Sequence, residues 1–221
     1  GNRDMILADP KNHEEWIKAR ATGIGGSEAA CILGMNKYKT NLTLWREKKG
    51  LVKPEDVSEK SAVRYGKEAE AYIRKLFQLD YPEYEVDYNE FRMYATKKHP
   101  FIFATLDGEL TDKETGTRGI LEIKTATIQN SLQWNNWQDD EIPENYYIQI
   151  LHQLAATGWD FVILRAYIRY YRNSRLFACV KDYKVNRNEV SQEIDFLITA
   201  EERFWKSLES DDEPAQILPK I

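Results

Sequence analysis

Two carboxylates and a lysine lie close together in strand-forming sequence. Asp107 falls in FATLDGEL, where an apolar run meets a glycine, and Glu122 and Lys124 follow in GILEIKTAT. Successive side chains of a strand point to opposite faces, so Glu122 and Lys124 share one face while Leu121 and Ile123 share the other. An isolated Glu-x-Lys pair is also typical of a plain ion pair on a half-solvated sheet.

Together, the three polar groups can do chemistry that none can do alone. Fourteen residues separate Asp107 from Glu122, and one separates Glu122 from Lys124. Two carboxylates on adjacent strands can share a divalent metal, because Mg²⁺ prefers a few carboxylates plus water and substrate phosphate; the Ile123 carbonyl can add a ligand. The metal would lower the pKa of a bound water and neutralise charge on a phosphate. Lys124 could orient that water and stabilise the same charge.

Composition limits the classes of protein that remain. The chain has 221 residues, of which 42% are hydrophobic and 12% aromatic, so one domain over residues 1–221 with a real core is expected. The 36 acidic and 31 basic side chains give a net charge of −5. That total argues mildly against a nucleic-acid binder. An acidic metal site lined elsewhere by Arg and Lys would give the same total.

Histidines and cysteines exclude several other sites. The three histidines and two distant cysteines form neither an H-E-x-x-H nor a C-x-x-C pattern, so the common zinc hydrolases are poor candidates. The isolated cysteines favour a reducing compartment. No apolar run approaches the roughly 20 residues of a membrane helix, and no signal peptide is recognisable. A cytoplasmic location is therefore expected.

Periodicity predicts the elements that must position these groups. A helical part is expected over about residues 11–80, a sheet core over about 84–185 and a C-terminal helix over about 188–208, followed by a loose tail. The predicted strands are YEVDYNEFRMYAT, FIFATLDGEL, RGILEIKTAT, FVILRAYIRYY and LFACVKDYKV. A polar loop is expected over about 126–142, and a helix from Pro143 to about Thr157. This order predicts an α/β (α+β) fold with a central mixed sheet flanked by helices.

Further polar residues lie on the predicted helices. Glu70 borders the apolar face of one helix, and Gln149 lies with His152 and Gln153 on the flank of another. Arg20 precedes a glycine-rich turn into a helix that starts near Ser27. A helix start with free N–H groups, a hydroxyl and an arginine can hold a phosphate. Each feature also has an ordinary explanation. Glu70 could be a solvated helix acid, and Gln149 could belong to a hydrogen-bonded polar edge of its helix. The Arg20–Ser27 segment could be a capped helix preceded by a surface arginine.

The order of these blocks carries a family resemblance. Asp107 and Glu122-x-Lys124 are similar to the PD-(D/E)xK nuclease motif, with Leu106 in place of its proline. R-x-x-G-I-G-G-S-E-A, L-W-R-E-K-x-G, Y-G-K-E-A-E, L-D-G to L-E-I-K, and Y-Y-I-Q-I-L-H-Q-L follow in an order that resembles the YqaJ-like viral recombinase family. Phage lambda exonuclease also belongs to that family. The resemblance covers roughly residues 13–185 and implies a restriction-endonuclease-like core.

The resemblance implies a role for each candidate residue. Mg²⁺ or Mn²⁺, as two ions per site, would be bound by Asp107, Glu122 and the Ile123 carbonyl. The other catalytic roles would fall to Lys124 on the attacking water, Glu70 as an accessory acid, and Gln149 in orienting the substrate end or the lysine. The 5′-phosphate of the degraded strand would be held by Arg20 and Ser27. His152 has no implied role and is interpreted as structural.

The implied function is a 5′-to-3′ exonuclease on double-stranded DNA ends. It would release mononucleotides and leave a 3′ overhang for a RecT/Bet-like single-strand annealing protein in a phage- or prophage-bearing bacterial cell. The resemblance further implies a homotrimeric ring. The candidates for its DNA channel are Arg165, Arg169, Arg172 and Arg175, although an ordinary exposed hairpin explains them equally well. Two alternative functions are an endonuclease on the same fold and a catalytically silent scaffold that binds DNA ends. The terminal-phosphate site disfavours the endonuclease, which needs none, and the complete Asp-Glu-Lys set disfavours the scaffold, which does not need it.

Overall fold

Five strands form the central sheet and run in both directions. The computed structural model describes residues 5–219. Its strands are β1 (Met5–Ala8), β2 (Tyr84–Asp87), β3 (Met93–Thr96), β4 (Phe103–Ala104), β5 (Gly108–Asp112), β6 (Arg118–Ile128), β7 (Phe161–Arg172) and β8 (Arg175–Asn186). The central order is β2-β5-β6-β7-β8, with β6 and β7 parallel and the other neighbours antiparallel. The predicted mixed sheet is confirmed.

Helices cover both faces of this sheet. They are α1 (His13–Arg20), α2 (Gly26–Ile32), α3 (Asn41–Lys48), α4 (Ser61–Asp80), α5 (Ser131–Asn135), α6 (Glu144–Thr157) and α7 (Ser191–Glu209), with a 3-10 turn at Arg187–Glu189. On one face, Phe77 of α4 packs in a cluster with Leu121. On the other, Leu154 of α6 packs in a cluster with Ile120. Within residues 5–219, no helix is both long and apolar enough to cross a membrane.

The parallel pairing of β6 and β7 follows from their connection. Parallel neighbours require a crossover, and α6 supplies it. As predicted, α6 begins after Pro143 and ends before Gly158, whose φ of +69° suits a residue without a Cβ. Because helices cover both faces, β6 is buried on both faces. Glu122 is only 3% exposed, so the half-solvated ion pair is the wrong interpretation.

Two predicted strands each divide into two. YEVDYNEFRMYAT becomes β2 and β3, which belong to different sheets, and FIFATLDGEL becomes β4 and β5. β2 and β5 belong to the central sheet, whereas β3 and β4 belong to a smaller antiparallel sheet of order β1-β3-β4. An alternating pattern shows that a segment is extended, but it does not show where the chain turns from one sheet to the next. The second break leaves Asp107 outside either ladder.

The N-terminal strand, the long loop and the tail also differ from expectation. β1 was not predicted, and the loop expected over 126–142 contains the end of β6 and helix α5. As far as Ile217 the tail is not loose, because the Asn41 amide donates to the Ala215 carbonyl at 2.9 Å and accepts from the Ile217 N–H at 2.8 Å; residues 220–221 lie outside the described residues. One buried amide therefore fixes the chain beyond α7.

Candidate active site

The site lies at the start of β5, where β6 continues beyond its pairing with that strand. The last pair between the two strands is Gly108 with Leu121, so Ile123 lies beyond the ladder. Its N–H donates to Asp107 Oδ2 at 2.8 Å. In an antiparallel ladder the N–H and C=O of one residue face the same neighbouring strand. The Ile123 carbonyl therefore faces the edge at which the Asp107 carboxylate lies, as a shared metal site requires.

Glu122 is held by donors from α6 and from its own strand. Gln149 Nε2 donates to Glu122 Oε1 at 3.1 Å, and Gln153 Nε2 donates to Oε2 at 2.7 Å. Lys124 Nζ lies 3.2 Å from Oε1 and 4.7 Å from the ring centroid of Tyr146. The predicted same-face relation of Glu122 and Lys124 is therefore a direct contact in a largely buried site.

Helix α4 brings a third carboxylate from the opposite face of the sheet. The helix approaches β6 closely at Gly66, where an added Cβ would lie 2.9 Å from Thr125 Oγ1. One turn further along, Glu70 is paired with Arg74. Arg74 Nε also donates to the carbonyl oxygen of Asp107 at 2.6 Å. One arginine of α4 thus contacts both Glu70 and Asp107.

The three carboxylates repel one another. Burial raises the pKa of the Asp107 carboxyl well above its usual range, and the charges of Glu122 and Glu70 raise it further. Burial also raises the pKa of Glu70, where attraction to Arg74 opposes the shift and repulsion from Glu122 adds to it. Three carboxyl groups thus share the site with two cationic side chains, those of Lys124 and Arg74.

Lys124 carries a proton in this environment. Burial by itself lowers the pKa of a lysine, but attraction to Glu122 and Asp107 outweighs burial, and the pKa of Lys124 is raised. The side chain is consequently an ammonium that donates hydrogen bonds. It suits the orientation of a water molecule and the stabilisation of negative charge.

The donor set fits a hard divalent cation. Two carboxylates and a backbone carbonyl are the oxygen ligands that Mg²⁺ accepts, with water completing the shell. Among residues 5–219, no three His, Cys, Asp or Glu side chains lie close enough together to hold a metal by themselves. The side chains that could hold such a cation together with the Ile123 carbonyl are therefore Asp107 and Glu122, with Glu70 nearby. A cation here would relieve the repulsion from Glu122 and Glu70, which adds to the effect of burial in raising the pKa of Asp107.

The predicted phosphate site lies beside this cluster but makes no polar contact with it. The start of α2 adjoins the cluster, because a Cβ at Gly26 would lie 3.0 Å from Gln149 Cγ. Ser27 is exposed on the first turn of α2, and the Arg20 guanidinium lies 4.7 Å from the Trp16 ring. In the part of the chain that the structure describes, no hydrogen bond or ion pair connects Arg20 or Ser27 to the carboxylates.

Lys48 supports this segment from α3. Its Nζ lies 3.0 Å from Glu28 Oε1 and donates to the Arg20 carbonyl at 3.1 Å, while Glu28 accepts from the Gly25 N–H at 2.9 Å. A largely buried cation therefore joins the end of α1 to the start of α2. The two helix ends that carry Arg20 and Ser27 are held in a fixed relation.

Two site residues were not among the sequence candidates. Gln153 contacts Glu122 as directly as Gln149 does, and Arg74 contacts both Glu70 and Asp107. Each follows a predicted residue by four positions, so each lies on the same helical face as that residue. The spacing was visible in the sequence, whereas the elements that these faces meet were not.

The hairpin arginines are not equivalent. Arg165 is 2% exposed and bonds Asp182 through Nε and Nη2, each at 2.9 Å, while Nη1 lies 2.8 Å from Asp80. Its prediction as a channel residue is wrong, because a buried arginine between two carboxylates cannot reach DNA. The others are partly or fully exposed: Arg169, Arg172 and Arg175.

His152 is fully buried and lies outside the cluster of Asp107, Glu122 and Glu70. Its Nδ1 lies 2.7 Å from Glu201 Oε1 and its Nε2 lies 2.7 Å from the Phe103 carbonyl oxygen. Both neighbours are acceptors, so a doubly protonated imidazolium satisfies both. The ring connects α6 to α7 and β4. In the sequence, His152 falls between Gln149 and Gln153, the two glutamines that hold Glu122.

Comparison with known families shows to which protein family the chain belongs. The sequence model of the YqaJ-like viral recombinase domain matches residues 15–160. The chain belongs to this family. All the predicted site residues of this YqaJ-like chain lie within the matched residues. The YqaJ protein of Bacillus subtilis (strain 168), itself described as uncharacterized, is 32% identical over 200 residues, which are 88% of this chain and 56% of that protein. The chain thus spans about half the length of that relative.

Solved structures share the fold of the YqaJ-like chain. An alkaline exonuclease from Laribacter hongkongensis (LHK-Exo) superposes with a TM-score of 0.62 at 19% identity, covering 90% of this chain and 94% of that one. The same enzyme in complex with dAMP gives a TM-score of 0.60 at 18% identity with the same coverage. At this level of identity the likeness shows a common fold.

Proposed function

We propose that the chain is a metal-dependent nuclease that digests one strand of linear double-stranded DNA from its 5′ end. It releases mononucleotides and leaves a 3′ overhang. The observation that carries the proposal is the convergence of Asp107, Glu122 and the Lys124 ammonium at the open edge of β6. The family and a fold shared with an alkaline exonuclease support it. That exonuclease was crystallised with dAMP, a mononucleotide.

Each residue has a role that its contacts support. Asp107, Glu122 and the Ile123 carbonyl hold Mg²⁺ or Mn²⁺, with Glu70 as the additional acid that a second ion would need. When bound, such an ion lowers the pKa of a coordinated water and stabilises negative charge on the phosphate. Lys124 orients the attacking water and donates to the same charge.

Gln149 has two neighbours that bear on the reaction. It donates to Glu122, and it lies against Gly26 at the start of α2. It therefore fixes the carboxylate on one side and borders the entry of the strand end on the other. The absence of a Cβ at Gly26 allows this close approach.

The direction of digestion rests on the start of α2. Arg20 and Ser27 bind the 5′-phosphate, because free N–H groups, a hydroxyl and a guanidinium are all donors to phosphate oxygens. Lys48 holds the two helix ends together. A terminal-phosphate site favours an exonuclease over an endonuclease on the same fold, and over a scaffold that binds ends without cutting them.

The biological setting follows from this activity. A 3′ overhang is the substrate of a RecT/Bet-like single-strand annealing protein, which we propose as the partner in phage-type recombination in the cytoplasm of a bacterial host. A homotrimeric ring would keep the enzyme on its DNA. The exposed Arg172 and Arg175 at the tip of the hairpin are the residues of that hairpin that could face the duplex.

The test compares three DNA substrates in Mg²⁺ or EDTA: a linear duplex with 5′-phosphate ends, the same duplex with 5′-hydroxyl ends, and a closed circle. Metal-dependent release of mononucleotides from the linear 5′-phosphorylated DNA is expected. Lys124→Ala should abolish it, whereas Lys113→Ala, on the exposed β5–β6 turn, should not. Cutting of the closed circle would favour the endonuclease, and binding without cleavage would favour the scaffold.

A further inference from the structure

Arg74 joins two carboxylate-bearing segments that no ladder connects. Its Nε donates to the Asp107 carbonyl at 2.6 Å, and its Nη2 pairs with Glu70. The side chain is only 14% exposed. Its guanidinium carbon lies 3.5 Å from the centroid of the Tyr88 ring. Arg74 thus bonds two partners on one edge and stacks on an aromatic ring.

The contact to Asp107 matters because of where that residue lies. β4 ends at Ala104 and β5 begins at Gly108, so the peptide of Asp107 belongs to neither strand. Asp107 accepts one hydrogen bond from Arg74 at its carbonyl and one from the Ile123 N–H at its carboxylate. The first fixes the backbone and the second aims the side chain. Loss of the first would leave the Asp107 carboxylate on a less restrained segment.

We propose that Arg74 is a positioning residue for the carboxylate site. Arg74 holds the Asp107 peptide against α4 and keeps Glu70 beside that peptide. This inference rests on the proposed function, since it concerns the divalent cation that the carboxylates would bind. Among the described residues, Arg74 bonds the backbone carbonyl of Asp107 and the Glu70 carboxylate, and it makes no hydrogen bond or ion pair with the carboxylate oxygens of Asp107 or Glu122. It acts through the arrangement of Asp107 and Glu70.

The geometry calls for arginine in particular. Two donors of one planar guanidinium reach a backbone carbonyl and a carboxylate at the same time, and its flat face packs on Tyr88. A lysine ammonium is a single point of charge on a flexible chain, so it can pair with Glu70 without fixing the Asp107 peptide. Arg74→Lys therefore separates positioning from charge.

The experiment measures Mn²⁺ binding by calorimetry, without DNA, and cleavage of the 5′-phosphorylated linear duplex. The variants are Arg74→Met, Arg74→Lys and the control Lys75→Met, which removes an exposed positive charge from the next position of α4. Arg74→Met and Arg74→Lys are both expected to weaken Mn²⁺ binding roughly 10- to 100-fold, the usual effect of removing a group that orients metal ligands. They should lower kcat while KM for DNA changes about twofold or less, and Lys75→Met should match the wild type.

Two outcomes would contradict the inference. If Arg74→Lys restores wild-type Mn²⁺ affinity and kcat, the charge alone matters. If Arg74→Met raises KM for DNA but leaves Mn²⁺ affinity unchanged, Arg74 contacts DNA instead. If Arg74→Met fails to fold, the milder Arg74→Lys still decides the question. Wild-type protein that binds no Mn²⁺ and cuts no DNA would overturn the proposed function itself, whereas the first two outcomes leave that function intact.

Discussion

Gln153 donates from Nε2 to Glu122 Oε2 at 2.7 Å, and both side chains are almost completely buried. A buried carboxylate needs such donors, because the loss of one leaves charge without compensation. Two amides one turn apart on α6, those of Gln149 and Gln153, thus hold both oxygens of a single carboxylate. The orientation of Glu122 is set by α6, the helix that packs on the face of β6 to which the Glu122 side chain points.

Removal of the Gln153 amide should therefore weaken the site. Gln153→Met keeps most of the volume but deletes the donor to Glu122. Mn²⁺ affinity and kcat are expected to fall roughly 10- to 100-fold. Calorimetry and the release of mononucleotides check this result. Gln192→Met, on the exposed side of α7, is the matched control and should behave as wild type; equal behaviour of the two variants would show that Gln149 and Lys124 suffice to orient Glu122.

Neutralisation of Asp107 should stabilise the metal-free protein. In the folded state the pKa of Asp107 is raised above its usual value, so the unfolded chain ionises first as the pH rises. The free energy of unfolding in EDTA should therefore fall from the ordinary carboxyl pKa of about 3.8 upward through the folded-state pKa. Asp107→Asn removes this cost and should gain roughly 0.5–2 kcal/mol at neutral pH.

Urea denaturation in EDTA and in Mg²⁺ checks this prediction. Mg²⁺ at 100 times its Kd should stabilise the wild type by about 2.7 kcal/mol and Asp107→Asn by much less. Asp139→Asn, at an exposed position whose φ of +55° suits asparagine, is the control. An Asp107→Asn protein that is less stable than wild type in EDTA would show that repulsion is not the main feature of the site.

The pairing of His152 with Glu201 should make the free energy of unfolding fall as the pH rises above 6.5. Burial disfavours the imidazolium, but the Glu201 carboxylate and the Phe103 carbonyl outweigh burial, so the pKa of His152 lies above its usual 6.5. Its contribution to stability is fully present below that value and is lost as the pH rises through the folded-state pKa. His152→Gln should cost roughly 3–5 kcal/mol at neutral pH, because Glu201 is left buried without its partner.

Unfolding free energies measured over a pH series check the His152 prediction. The control is His99→Gln, since His99 lies 3.1 Å from Glu202 in a pair that is partly exposed. That variant should cost only about 0–1 kcal/mol. A decline in stability above pH 6.5 that is equally steep in wild type and His152→Gln would assign the decline to another group.

Removal of Arg20 should reduce the preference for a 5′-phosphate. A charged hydrogen bond to phosphate contributes about 1.5–3 kcal/mol, so Arg20→Ala should reduce the ratio of cleavage rates on 5′-phosphate and 5′-hydroxyl ends by roughly tenfold or more. Lys18→Ala removes an exposed positive charge from the same helix and should keep the ratio. An unchanged ratio in Arg20→Ala would place the phosphate elsewhere.

The sequence by itself determined the parts of the site that are close together in the chain. The alternation of GILEIKTAT placed Glu122 and Lys124 on one face, and their atoms lie 3.2 Å apart. Pro143 and Gly158 marked the ends of α6. These features depend on local backbone geometry, which a few neighbouring residues specify.

Only the tertiary structure decided which faces meet. The alternating pattern of FIFATLDGEL concealed the break that frees Asp107 from both sheets, and the burial of Arg165 depends on Asp80 and Asp182 from other elements. Arg74 and Gln153 resembled ordinary helix residues until α4 and α6 were packed on opposite faces of β6. Contacts between residues far apart in sequence arise from packing the whole core, so a local pattern can supply the side chains of the site but not their meeting point.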